Sequence, residues 1–174
     1  MSVLDKILAF FSSGSGSARQ AAKRLYLLDA ARIIDDKATG NRIGPREQVQ
    51  VLQQLARFAE QEKVRLIAVF EGRPLREVEN GGEYSGITVF FAEQDTSVND
   101  VILKVLKKES RGMPVVVVTS DAQMEAKVTA AGGSTLRAST FRKALSGNMG
   151  MGQGGGSDRG RPMGNNRRRH FRQR

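Results

Sequence analysis

Four stretches of this chain are apolar on mostly consecutive residues instead of alternate ones: Leu25-Tyr26-Leu27-Leu28, Val64 to Phe70, Ile87-Thr88-Val89-Phe90-Phe91 and Val115-Val116-Val117-Val118. A strand with one wet face alternates; a strand that does not is covered on both faces, which is the condition of a parallel sheet held between two layers of helix. A weaker fifth strand fits Ser134 to Leu136. Helical periodicity fills the gaps at 45–62, 98–110, 122–131 and 140–146. Pro45 suits a first helical turn, and Gly112 and the pair Gly132-Gly133 stand where helices would end. Residues 72–86 read as a loop or a short irregular helix. Strands alternating with helices demand right-handed crossovers. The expected fold is therefore a three-layer α/β/α domain over 18–146, around a central, mostly parallel five-stranded sheet.

The two ends read differently. Val3, Leu4, Ile7, Leu8 and Phe11 recur at helical spacing, so residues 2–11 form an amphipathic helix, followed by a Ser/Gly linker that closes the unit at residue 17. So short a helix is marginal in water and needs a surface: its own domain, a protein partner, or a membrane face. The apolar run 7–11 is far below the ~18 residues of a membrane span. It has Asp5 before it and no cleavage pattern behind it, so a cytoplasmic protein is expected. From Gly147 to Arg174 the chain holds eight Gly, seven Arg and a single acid, Asp158. That segment carries +6 of the total formal charge of +10 and lacks the apolar surface to fold alone, so a disordered basic tail is expected.

The chain has no Cys and one His, His170, in the tail. Thiolate metal sites, Cys nucleophiles and His-based triads are thereby excluded. Neither a Walker A run nor a G-x-G-x-x-G helix opening is present. What remains is carboxylate chemistry, and in an open parallel sheet it collects at the carboxyl ends of the strands. The first strand ends in Asp29, the second in Glu71-Gly72; Glu93-Gln94-Asp95 and then Asn99-Asp100 follow the third, and Thr119-Ser120-Asp121 follows the fourth. Asp29, Asp100 and Asp121 would share one edge, where oxygen ligands could hold Mg2+ or Mn2+. Each acid has a structural alternative: Asp29 can pair with Arg32, Asp121 can cap the helix after it, and Asp100 can close a capping box with Ser97.

Leu27-Leu28-Asp29, Ile67-Ala68-Val69-Phe70-Glu71-Gly72, Gly86-Ile87-Thr88-Val89-Phe90, Ser97-Val98-Asn99-Asp100-Val101-Ile102, Val118-Thr119-Ser120-Asp121 and the close Gly132-Gly133-Ser134-Thr135-Leu136-Arg137 together resemble the YacP-like NYN domain family, of the PIN-like nuclease superfamily. The resemblance spans roughly 24–146. It implies a PIN-like fold and a metal-dependent endoribonuclease using Mg2+ or Mn2+, with Asp29, Asp100 and Asp121 as metal ligands and Asn99 beside them as a further catalytic residue. Two departures stand out. Asp29-Ala30-Ala31-Arg32 stands where the family reads Asp-Gly-Tyr-Asn. Asn99-Asp100 stands where it has an acid pair, so the first acid has become an amide. Arg32 beside such a site would repel a metal ion or bind the scissile phosphate.

The tail supplies an independent argument for RNA. Arg167, Arg168, Arg169 and Arg172 offer phosphate-pairing guanidinium groups around one stacking aromatic, Phe171, the composition of a segment that binds RNA electrostatically. Arg73 and Arg76, in the loop after the second strand, would extend that basic surface. Three functions follow: an RNA-cleaving enzyme, a catalytically degenerate domain that binds RNA or the ribosome, and a scaffold whose helix 2–11 recruits a protein partner.

Overall fold

The computed structural model describes residues 24–34 and 43–149. The expected helix 2–11, the Ser/Gly linker and the tail beyond residue 149, with its arginines Arg167, Arg168, Arg169 and Arg172 and Phe171, lie outside the described residues. In chain order the elements are β1 (Leu25–Asp29), α1 (Ala30–Ile34), α2 (Pro45–Glu62), β2 (Arg65–Glu71), β3 (Glu83–Tyr84), β4 (Ile87–Ala92), α3 (Val98–Glu109), β5 (Val115–Val118), α4 (Ala122–Ala130), β6 (Ser134–Leu136) and α5 (Ala138–Met149).

The strands form one sheet in the order β3-β4-β2-β1-β5-β6. All neighbours are parallel except the β3–β4 hairpin. The sheet thus has six strands, not five. The extra one is a two-residue edge strand inside 72–86, where the sequence suggested a loop or irregular helix. Two residues carry too little periodicity to be seen, and the hairpin is made by its turn: Ser85 and Gly86 both adopt positive φ, 46° and 85°, as a tight hairpin connection requires.

β1 pairs with β2 on one side and β5 on the other, so its side chains are covered from both faces. Tyr26 and Leu28 point into a core built with Leu52, Leu55 and Phe58 of α2, Ile33 of α1 and Phe141 and Leu145 of α5. Leu25 and Leu27 point into a second core with Ile102 and Leu106 of α3 and Met124 and Val128 of α4. Two helical layers over one sheet is the arrangement the unalternated strands predicted. The second layer packs closely at Gly133, where a Cβ would meet Val128 Cγ1 at 2.9 Å and Leu106 Cδ1 at 3.0 Å.

Helix starts follow local chemistry. Gly44 precedes Pro45, and the Glu47 carboxylate accepts from the Gly44 amide at 3.0 Å. Ser97 caps α3, its Oγ accepting from the Asp100 amide at 3.1 Å. The last helix begins two residues before the expected 140 and continues through Gly147 to Met149. A glycine inside a helix costs only about 1 kcal/mol and does not by itself end one. Among the described residues, no helix is long and apolar enough to cross a membrane.

Candidate active site at the carboxyl edge

The direction of chain progression reverses at β1: β2 and β4 lie on one side, β5 and β6 on the other. At such a switch point a crevice opens beyond the strand ends. Asp29, the last residue of β1, and Asp121, three residues past β5, stand at this place. Each lies where a strand turns into a helix, and each holds backbone amides of that helix. Asp29 Oδ1 accepts from the Arg32 amide at 3.4 Å. Asp121 Oδ1 accepts from the Gln123 amide at 2.9 Å and the Met124 amide at 3.4 Å. Both acids therefore have one oxygen committed to the helix behind them and the other, Oδ2, facing forward.

Arg32 stands between those two forward oxygens. Its Nε donates to Asp29 Oδ2 at 3.2 Å, and its Nη2 lies 4.0 Å from Asp121 Oδ2. The Asn99 side chain completes the group, near enough to the Asp121 carboxylate to favour its charged form. The edge thus gathers Asp29, Arg32, Asn99 and Asp121, all four marked by the sequence. Asp100 is not among them. Its side chain is exposed and accepts from Ser97 Oγ at 2.6 Å, the capping-box alternative. Its place three residues after the cap points it back along the helix, whereas Asn99 points to Asp121.

The two acids are electrically unlike. Burial pushes the Asp29 carboxyl above its ordinary value, against the opposing pull of the Arg32 amide and the Arg32 charge. Burial also acts on Asp121, but the Gln123 and Met124 amides, the Arg32 charge and the Asn99 side chain together hold it below its ordinary value. A depressed carboxyl stabilises the fold above the unfolded value of 3.8 and loses that contribution as pH falls through its lowered pKa. Asp121→Ala removes the cap and should cost about 1 kcal/mol at neutral pH. Asp121→Asn keeps a capping oxygen and should cost only a few tenths. Urea titrations at pH 7 measure both.

Thr119 is a residue whose role the sequence left unassigned. It is buried, and its Oγ1 accepts from the Asp121 amide at 3.1 Å, which fixes the turn that aims Asp121. A Thr two residues before a helix-capping Asp is the signal that could have found it.

Arg73 and Arg76 are exposed and line a separate cleft of about 910 Å3 beyond the ends of β2 and β4. Glu71, Glu77, Glu93 and Asp95 line the same cleft, so this surface carries both signs.

The Oδ2 atoms of Asp29 and Asp121, the oxygens turned toward any cation at the carboxyl edge, both already face Arg32. With Asp100 turned away, no group of three or more His, Asp or Glu side chains that could hold a metal ion is present among the described residues. As arranged, these residues do not fit a carboxylate-held Mg2+ or Mn2+.

An open, mostly parallel sheet with carboxylates at the β1 and β5 ends of its switch point defines an α/β domain whose site lies at the strand ends. The chain belongs to the YacP-like NYN domain family, whose model matches residues 44–150. Asp29 and Arg32 precede that stretch. The fold is similar to two crystal structures of Rae1 (YacP) from Bacillus subtilis: one at 16% identity and a TM-score of 0.55, over 72% of this chain and 76% of that one, and a tryptophan-to-leucine mutant at 18% identity and 0.54, over 71% and 74%. No protein with a curated description matches the chain.

Proposed function

We propose that this chain is an RNA-binding protein built on an NYN domain, in which the carboxyl edge faces the RNA without a divalent cation and the C-terminal arginines supply most of the affinity. The observation that carries this reading is Arg32 lying between Asp29 and Asp121. Two carboxylates and one guanidinium leave the edge with a single net negative charge, which by itself does not attract phosphate. The attraction must come from elsewhere, and the tail carries a net +6; phosphate neutralisation by such a segment is sufficient for binding. Arg73 and Arg76, exposed at the rim of the mixed-charge cleft, add contacts to single-stranded RNA passing over the edge. A ribosome, which displays RNA, fits the same chemistry.

A second reading, the metal-dependent endoribonuclease that cuts RNA phosphodiesters, is favoured by one observation. Asp29 is retained as a buried carboxylate at an energetic cost, beside Asp121 and Asn99.

The experiment compares binding and cleavage of a labelled single-stranded RNA by the full chain, in EDTA and in Mg2+ or Mn2+. Binding that persists in EDTA and falls with salt, with no cleavage above that of Asp29→Asn and Asp121→Asn, is the expected result. Metal-dependent cleavage that both substitutions abolish would establish the second reading instead. Absence of salt-dependent RNA binding would leave the partner-recruiting scaffold.

A further inference from the structure

We infer that Arg32 is a tethered cation that takes the position of a divalent ion at this edge, so that its guanidinium and a metal ion exclude one another there. The inference rests on the reading that Asp29 and Asp121 form the functional edge of an NYN domain, and it concerns what controls that edge.

The argument is in the oxygens. Asp29 Oδ1 is held by the Arg32 amide, and Asp121 Oδ1 by the amides of Gln123 and Met124. Oδ2 of each acid is the oxygen that no helix amide is seen to hold, and these are the two atoms the guanidinium faces. Arg32 sits three residues after Asp29, so the ion pair is local and its local concentration is fixed by the chain, not by the solution. A hydrated Mg2+ gives up its water reluctantly and would have to displace a charge that cannot leave. Arginine does not deprotonate in proteins, so raising the pH within the stable range does not release it. Without the guanidinium the same edge would present two carboxylates and the neutral Asn99 amide, a donor set of the kind that Mg2+ and Mn2+ accept when they keep part of their water.

The test uses the full chain, Arg32→Ala, Arg32→Met and Asp29→Asn, each titrated with Mn2+ and read by melting temperature and by electron paramagnetic resonance of the bound ion. The unsubstituted protein should respond to Mn2+ no more than Asp29→Asn does. Both Arg32 variants should acquire one bound Mn2+ and a rise in Tm of roughly 5–10 °C at a hundredfold excess over Kd, lost again when Asp121→Asn is added. Arg32→Met keeps the apolar stem and guards against a poorly folded alanine variant. An alanine variant that folds only with Mn2+ present would also support the inference. A Tm rise in the unsubstituted protein that Asp29→Asn abolishes, or Arg32 variants that bind no Mn2+, would overturn it. RNA binding in EDTA, measured on the same samples, separates the two ideas. Its loss defeats the RNA reading, whereas its persistence beside a Mn2+ response in the unsubstituted protein defeats only the exclusion.

Discussion

Replacing Arg32 by alanine should destabilise the domain at neutral pH by about 2 kcal/mol and should have little effect when Asp29 is already asparagine. The cost has one source: Asp29 is 7% exposed, and a buried carboxylate stripped of its partner costs from about 2 kcal/mol upward. The pair is not wholly dry, since the Arg32 side chain is 25% exposed, which places the effect at the lower end. Its pH dependence has a definite sign. Burial already raises the Asp29 carboxyl, and removal of the Arg32 charge raises it further. A group with a raised folded pKa contributes stability that is fully present below the unfolded value and is lost as pH rises through the folded one. The gap between Arg32→Ala and the unsubstituted protein should therefore be widest at pH 7 and close as pH falls toward 4. A double-mutant cycle over Asp29→Asn and Arg32→Ala, measured by urea unfolding at both pH values, checks it. A penalty independent of pH, or one that survives in the Asp29→Asn background, would place the role of Arg32 in packing.

Deleting residues 150–174 should lower the salt dependence of RNA binding more than any substitution in the domain. The segment carries seven Arg and one Asp. Single-stranded RNA releases about 0.7 counterion per phosphate neutralised, so the slope of log K against log salt should fall by about 4. Between about 50 and 200 mM salt the full chain should then lose on the order of a hundredfold more affinity than the truncated one. Truncation after Met149 leaves the last residue of α5 in place, so the domain should keep its melting temperature; fluorescence anisotropy across a salt series gives the slopes. An unchanged slope would move the RNA-binding surface onto the domain itself.

The fold was legible where one physical cause acted alone. Consecutive apolar residues such as Val115–Val118 have no solvent-facing explanation, and all four became core strand. Pro45, Ser97 and Asp121 marked helix starts because their chemistry is local. Signals that depend on what lies across space were not legible. β3 exists because β4 offers an edge, and Glu83 and Tyr84 say nothing of that on their own. The same limit held at the edge site. Asp29 and Asp121 were both recognisable as acids at strand ends, and their convergence follows from the strand order. Asp100 and Asn99 are adjacent in sequence, and which of the two turns toward Asp121 is decided by the Ser97 cap, which claims the acid and leaves the amide to the site. Arg32 was visible as a departure from the family pattern; that its guanidinium would reach past Asp29 toward Asp121 required coordinates.

Because Asp29 and Asp121 each also hold a helix start, a lineage could abandon catalysis and still keep both acids, since losing either would weaken the scaffold. Their presence in a sequence of this kind is thus a poor diagnostic of an active enzyme. The informative position is the one three residues after the first acid, whose side chain decides what charge faces the two carboxylates, and surveys that sort such domains into cleaving and merely adhesive groups would do better to read that residue first.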